Sequence, residues 1–519
     1  MRKVLTIVNL SFLAFTILIG FTMVVLPFLT VDRSFHVTLI FSLANFFASF
    51  DPVMIEAIRN SIVLSVIASL FAILCGIVLT RALARFPMIV GCGIVLVYSV
   101  NPVIRALAFS ELFTIDTSLQ TWAIRIFGEW NAQMILLPAL ILGAHYLPIY
   151  LLRFLFVIRK STVAHELKGL LDLCFVSLPA FLRGFPISFA LFFLLSFFDY
   201  WVIQTIGGGK ALYWSQMFEQ KAFALRDVGQ AAMLIILGLV FTVAAYGAAL
   251  SLAAFLRMLL RRLRPLTVGA IRVATVPWIG SILGSLLLLL LAWPLFYSVM
   301  RFGSIMLHAT PLRLMEGAER SIMLTLLLTS LIAFCSTILA FLLSAFFQEH
   351  KTRSRWWLPS LYFLALVPEA AYVLFSLCVT GLGILKASPW WLFLLMTSFT
   401  APMSFFLWES LWGEAEERKL WTLTSAMHGN IVGTLGMAIR EWRRFFALTF
   451  IVNLWLTVDN VFITNFAAGP KWKPLSAVLF SATKRGFQDE KFLTGSAGSV
   501  SLLVLIGVMM FLSRQRMNT

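Results

Sequence analysis

The chain has 519 residues, of which 61% are hydrophobic and only 12% charged, with 49 Phe and a mean hydropathy of +0.94. No soluble fold of this length hides so much apolar surface, so the bilayer must be its solvent and a water-soluble enzyme is excluded. The formal net charge of +17 comes from basic residues dispersed along loop edges, a pattern that fits membrane topology and anionic headgroups and not a nucleic-acid surface.

Apolar runs of bilayer-spanning length recur along the whole chain, and about twelve transmembrane helices are predicted. They fall near 4–29, 57–80, 86–111, 132–157, 184–206, 229–256, 277–300, 319–346, 357–384, 388–412, 445–466 and 493–513. The first follows Arg2 and Lys3 and resembles a signal peptide. Its apolar run is too long for one and no small-x-small site follows Leu29, so an uncleaved signal-anchor is expected. Arg81, Arg85, Arg153, Arg159, Lys160, Arg261, Arg262, Arg264, Lys351, Arg353, Arg443, Arg444, Arg514 and Arg516 all fall on the side of the N-terminus. The positive-inside rule then places both termini in the cytoplasm.

Chemistry-bearing motifs are sparse. The five cysteines (Cys75, Cys92, Cys174, Cys335, Cys378) have no CxxC spacing and the six histidines form no HxxxH pair, so neither a disulfide nor a metal site is expected, and no cofactor. No Walker-type phosphate loop and no nucleophile elbow occur, so the chain does not hydrolyse ATP itself.

The strongest pattern is a duplication at an offset of about 260 residues. Ser61-Ile62-x-Leu64 recurs as Ser321-Ile322-x-Leu324, Cys75 as Cys335, Asp199 as Asp459, Ile203 as Ile463, and Gly209 as Gly469. The expected fold is therefore an all-α polytopic membrane protein of two parallel, pseudo-symmetric six-helix repeats, 1–256 and 277–519, joined by a basic cytoplasmic linker at 257–276. A duplicated apolar chain of this kind has the architecture of a transporter.

Two cytoplasmic segments, 158–183 and 414–442, are too polar to span and too apolar to be free loops. Each reads as a short helix, a turn and a second short helix on which a soluble partner could dock. The first runs through Lys160, His165, Glu166, Lys168 and Gly169 to Leu178-Pro179; the second runs through Leu423-Thr424-Ser425 and His428-Gly429 to Ile439-Arg440-Glu441-Trp442.

At these residues the chain resembles the fused permease subunits of bacterial binding-protein-dependent ABC importers, such as those for iron(III) and thiamine, with polyamine and phosphonate importers as further relatives. The resemblance spans about 57–256 and 317–513 and includes Asn60-Ser61-Ile62-Val63-Leu64, Leu79-Thr80-Arg81-Ala82-Leu83-Ala84-Arg85-Phe86, and the Gly-rich exits after Asp199 and Asp459. The family's coupling loop carries Glu-Ala-Ala, then Gly, then Ile-x-Leu-Pro. Val176-Ser177-Leu178-Pro179 matches its end in the first repeat, where Lys160 replaces the Glu and Glu166 the Gly. Gly429 and Ile439 match in the second, where Leu423-Thr424-Ser425 replaces Glu-Ala-Ala and Glu441-Trp442 replaces Leu-Pro.

The resemblance implies a type I importer permease in the bacterial inner membrane, with two copies of an ATP-binding subunit on its cytoplasmic segments and an extracytoplasmic solute-binding protein outside. Polar groups within the spans are the candidates for the solute path, because charge in lipid costs about 2.5–3.5 kcal/mol on insertion scales. Arg105, after Asn101-Pro102, and Glu369, its counterpart after Pro368 in the second repeat, are expected either at the interface between the repeats or, with equal weight, as an Arg105 that snorkels to the outer headgroups and a Glu369 satisfied by neighbouring helices. Asp199 and Asp459 are expected either on the path or, with more weight, as caps of short outer helices. Tyr146, Trp408 and Glu409 are weaker candidates. A secondary transporter of the major facilitator type also has six plus six helices. It usually carries a Gly-x-x-x-Asp-Arg-type loop after its second helix, where this chain has only Arg81-Ala82-Leu83-Ala84-Arg85-Phe86.

Overall fold

A computed structural model describes residues 2–31, 37–48, 50–85, 100–115, 121, 124–125, 135–147, 178–200, 202–203, 212–267, 277–308, 319–349, 367–381, 388–411, 431–441, 443–467, 474–483, 495–496, 498–500, 504 and 507. In chain order its helices are α1 (Arg2–Val25), α2 (Ala44–Ala48), α3 (Pro52–Arg85), α4 (Pro102–Ile115), α5 (Leu137–Leu147), α6 (Leu178–Phe197), α7 (Trp214–Glu219) and α8 (Val228–Thr267). There follow α9 (Pro277–His308), α10 (Glu319–Glu349), α11 (Glu369–Gly381), α12 (Pro389–Leu411), α13 (Ile431–Glu441), α14 (Arg443–Asp459), α15 (Val461–Ala467) and α16 (Leu475–Thr483).

The protein is a predominantly helical, membrane-embedded multi-pass chain. Among the described residues, five stretches are long and apolar enough to cross a bilayer: Leu10–Phe28, Pro52–Gly76, Val228–Leu259, Gly284–Ile305 and Arg320–Ser344. Four shorter apolar helices, Leu137–Leu147, Ser188–Phe197, Glu369–Thr380 and Thr449–Val458, accompany them. The departure from helix among these residues is a small antiparallel hairpin, β1 (Leu29–Val31) and β2 (Val37–Phe41), which pairs Val31 with Val37 and carries a bulge beside Leu29. It lies between spans, where water or headgroups can satisfy an open sheet edge.

Helix starts follow local chemistry. Asp51-Pro52, Asn101-Pro102 and Ser388-Pro389 each place an acceptor side chain before a proline at the first helical position, where the missing N–H costs nothing. Asp51 Oδ1 accepts from Val53 N–H at 3.1 Å, Asn101 Oδ1 from Val103 N–H at 3.0 Å and Ser388 Oγ from Trp391 N–H at 3.2 Å. At the start of α8, Arg226 turns the chain with φ 55° and Asp227 Oδ1 accepts from Gln230 N–H at 3.0 Å. α8 then continues to Thr267, so the first part of the expected linker at 257–276 is a helical extension.

Other bounds differ from the hydropathy reading for physical reasons. The described part of the expected 86–111 span opens only at Pro102, because Asn101 caps there. The expected 184–206 span starts at Leu178 and stops at Phe197, short of Asp199. The expected 445–466 span breaks at Asn460.

Packing is built around α6 and α10. α6 lies against α3 and α8, while α10 lies against α12 and α14. α1 packs on α10 and α11 as well as on α8, and α9 packs on α3 and α4. Along α6, Phe185, Phe189, Phe193 and Phe197 recur every fourth residue and their rings stack in file, with centroids 5.7–6.4 Å apart. Trp214, fully buried, closes the C-terminal end of this file against Phe197 and Phe198. Its indole N–H donates to Leu234 O at 2.9 Å and its backbone N–H to Ser61 Oγ at 2.8 Å. Burial pushes the neighbouring Tyr213 phenol up, so it stays neutral well above physiological pH.

Close approach of helices requires glycine at Gly143 of α5. A Cβ there would lie 2.7 Å from Phe71 Cδ1 and 2.8 Å from the backbone oxygen of Ala68 in α3. The Gly143→Val substitution is expected to lower stability by about 1–3 kcal/mol through overpacking. The check is the thermal unfolding midpoint of the purified protein in detergent, with Gly247→Val, at a position open within 4 Å, as the neutral control.

Candidate functional site

Three helix boundaries lie near one another, one start and two breaks, and each is capped by an Asx side chain. Asn101 opens α4. Asp199 follows the end of α6, and its Oδ1 accepts from Val202 N–H at 3.0 Å. Asn460 separates α14 from α15, and its Oδ1 accepts from Ile463 N–H at 2.9 Å. A broken helix inside a membrane must re-satisfy the backbone groups it releases, and such breaks near the bilayer midplane are where transporters place their polar sites.

Around these breaks the N-terminal and C-terminal portions of the chain share a buried polar cluster. Asn101 N–H donates to Ser499 Oγ at 2.9 Å, and Asn101 Nδ2 reaches Ser476 Oγ at 3.4 Å. Ser476 Oγ in turn donates to Val458 O at 2.7 Å. One turn before Val458, Trp455 stands 5.9 Å from the His145 ring, centroid to centroid. His145 meets the Tyr146 ring edge-on at 4.7 Å, and Tyr146 O–H donates to Asp199 Oδ2 at 2.7 Å. Arg105, one turn into α4, lies within electrostatic range of His145. Asn101, Arg105, His145, Tyr146 and Asp199 are all buried.

This cluster brings together Asn101, Arg105 and Asp199 of the residues singled out in sequence, with Tyr146, one of the weaker candidates. Asp199 serves as a cap and as the acceptor of a phenol. The sequence pairing of Asp199 with Asp459 shifts by one residue, because the equivalent capping bond is made by Asn460. Asp459 is the last residue of α14. Glu369 stands half-buried as the first residue of α11, where a carboxylate suits the positive helix end, on a helix packed against α1, α8 and α15. Arg105 lies one turn inside its helix, so the two are not equivalent by position.

Of the coupling residues, Lys160, His165, Glu166, Gly169, Ser425, His428 and Gly429 lie outside the described residues. Pro179 is the second residue of α6, and Ile439 is exposed on α13, beside exposed Met437 and Arg440. Among the described residues no three His, Cys, Asp or Glu side chains gather as a metal site.

A second buried network escaped the sequence reading. Asn453 of α14 is fully buried. Its Nδ2 donates to Thr337 Oγ1 of α10 at 2.9 Å, and its Oδ1 accepts from Ser404 Oγ of α12. Ser336 and Thr400 hydroxyls bond each other alongside at 2.6 Å. The residue about 260 positions before Asn453 is Phe193, in the middle of the aromatic file. One place is thus an amide clamp and the other a ring stack. The only sequence signal was a lone Asn within an apolar run, which in a membrane seeks an interhelical partner.

The N-terminal and C-terminal portions also meet through aromatic rings. Phe466 of α15 stacks on Phe223 with centroids 4.0 Å apart, and sits edge-on to Tyr200 at 5.8 Å. No protein-family model, no curated protein and no solved structure matches this chain.

The Tyr146→Phe substitution removes the phenol from a buried carboxyl and is expected to cost about 1.5–3 kcal/mol; thermal unfolding in detergent measures it. The Asn453→Ala substitution is expected to cost about 0.6–1.7 kcal/mol per interhelical bond lost. Adding Thr337→Val should then cost less than it does in the wild-type background, which a double-mutant cycle by the same melt would read.

Proposed function

We propose that this chain is the membrane-spanning permease of a binding-protein-dependent ABC importer, with both six-helix permease domains fused in one polypeptide. The observation that carries the reading is a reciprocal exchange of helices. α1, which opens the first repeat, packs on α10 and α11; α9, which opens the second, packs on α3 and α4. α10 and α11 stand about 260 residues after α3 and α4, so the two sets of contacts are the same set viewed from opposite repeats.

Matched capping bonds support the same symmetry. The N–H that opens α7 is held by Ser61 Oγ of α3 at 2.8 Å, and the N–H that opens α16 by Thr325 Oγ1 of α10 at 2.7 Å, one turn past the Ser321 that repeats Ser61. Asp199 with Val202 and Asn460 with Ile463 form the second matched pair.

In this reading the protein sits in the bacterial cytoplasmic membrane with both termini inside. An extracytoplasmic binding protein delivers solute to the outer face, above the Tyr200, Phe223 and Phe466 contact. Two ATP-binding subunits dock on 158–183 and 414–442, where exposed Ile439 on α13 offers an apolar foothold. Drawing them together rocks one repeat against the other and alternates access to the path. The Asn101, Arg105, His145 and Asp199 cluster lies on the interface that must part. The solute belongs to the iron(III), thiamine, polyamine or phosphonate group that the resemblance names.

Co-expression with candidate ATP-binding subunits and purification in detergent is expected to yield one permease chain with two ATPase chains, and the pair Glu166→Ala with Gly429→Arg is expected to abolish that complex. Failure to form it with any partner, together with proton- or sodium-driven uptake in vesicles, would replace the reading with a secondary transporter of the major facilitator type.

A further inference from the structure

Between Phe28, where the first span ends, and Pro52, where the next begins, the chain folds back through the β1–β2 hairpin and α2. One side of this segment is fixed to the bundle. Asn45 Nδ2 donates to Pro27 O at 2.9 Å, and Ser42 N–H donates to Phe28 O at 2.9 Å. Asn45 also sits so close to α8 that a Cβ on Gly229 would come within 2.2 Å of its Nδ2.

The other side is apolar and exposed. Phe41 is 68% exposed, Phe47 66% and Phe50 57%. The rings hold one another in place: Phe41 stacks on Phe28 at 5.7 Å, and Phe46 meets Phe47 at 5.6 Å and Phe50 at 5.2 Å edge-on. From Val37 to Phe50 the sequence contains no charged residue. Exposed Asp51, Glu56 and Arg59 mark a polar level at the start of α3 among exposed Val53 and Ile55, and beyond it Val63, Leu70 and Leu74 form an exposed apolar stripe on the same span.

We propose that the 37–50 segment is a membrane-interfacial wedge, seated in the headgroup and acyl boundary of the leaflet where α1 ends and α3 begins. Its occupant is lipid. The 37–50 face is itself uncharged, and the charges that border it, Asp51, Glu56 and Arg59, sit where a span enters the bilayer, at headgroup height, with the apolar stripe of α3 beyond them. Aromatic side chains partition to that depth, and a rigid anchor on the protein side keeps the rings from folding back. The wedge would fix the height and tilt of α1 and α3 against the bilayer. This inference rests on membrane embedding alone and is independent of the importer reading.

The test uses the full chain in phospholipid nanodiscs. In a variant with the five cysteines replaced, single spin labels at Phe47→Cys, Phe50→Cys and, as an aqueous reference, exposed Gln220→Cys are compared for collision with oxygen and with a water-soluble nickel chelate. The oxygen-to-nickel accessibility ratio at positions 47 and 50 is expected to exceed that at 220 several-fold. Equal ratios at all three would overturn the proposal and leave the patch as a water-facing docking surface. A second measurement keeps the native cysteines. A benzophenone amino acid replaces Phe47, and photolysis is followed by intact-mass analysis. Lipid adducts are expected; crosslinks to protein with no lipid adduct would also sink the idea.

Discussion

Backbone hydrogen bonding in the absence of water is the constraint on which the rest of this molecule depends. In a bilayer each free N–H or C=O costs several kcal/mol, so long helices are the default and every interruption needs its own supply of partners. This chain starts a helix after Asn101 and interrupts its helices at Asp199 and Asn460, and each of those side chains caps the helical turn that follows. The breaks in turn release carbonyls such as Val458 O, which Ser476 takes up. Polar groups therefore accumulate where the backbone is broken, and the buried cluster follows from the breaks. Arg105 and His145 sit beside that polar material, the environment in which a buried guanidinium is tolerated within a span.

The two portions of the chain solve the same packing problem with different chemistry. α6 uses rings in file, which interlock by shape and slide with little penalty in bond energy. α14 uses Asn453 as a clamp between Thr337 and Ser404, whose bonds have direction and hold one register. In lipid, apolar burial adds no drive between helices, so both solutions rest on close packing and on hydrogen bonds.

Sequence carried much of the fold because hydropathy and Asx-Pro or Ser-Pro pairs are local signals. The long apolar stretches and the start beside Pro389 could be read from neighbouring residues alone, whereas the starts at Pro52 and Pro102, set by Asp51 and Asn101, were placed at 57 and 86 by hydropathy. The candidate site was legible only where a charge interrupts an apolar run, as at Arg105 and Asp199. His145 and Asn453 were passed over because their meaning lies in partners far along the chain: Trp455 for one, Thr337 and Ser404 for the other. The shift from Asp459 to Asn460 has the same cause. Identity favours the carboxylate, whereas the hydrogen bond depends on which residue leaves the helical path first. The hairpin at 29–41 was hidden because β1 and β2 are short, and their pairing is set by the fixed ends of two spans.

The exchange of α1 and α9 has a consequence for the order of assembly. Translation delivers α1 into the membrane first, yet α10 and α11, against which it packs, are made some 300 residues later. At ribosomal speeds of about 5–20 residues per second that interval lasts tens of seconds. Through it the first helix must rest in lipid with part of its contact surface unclaimed, and Phe15 meets Phe375 and Trp391 only after some 360 further residues have been made. The N-terminal portion is thus committed to the membrane early and completed late. Cutting the chain between the two portions would turn an intramolecular wait into a search between separate molecules.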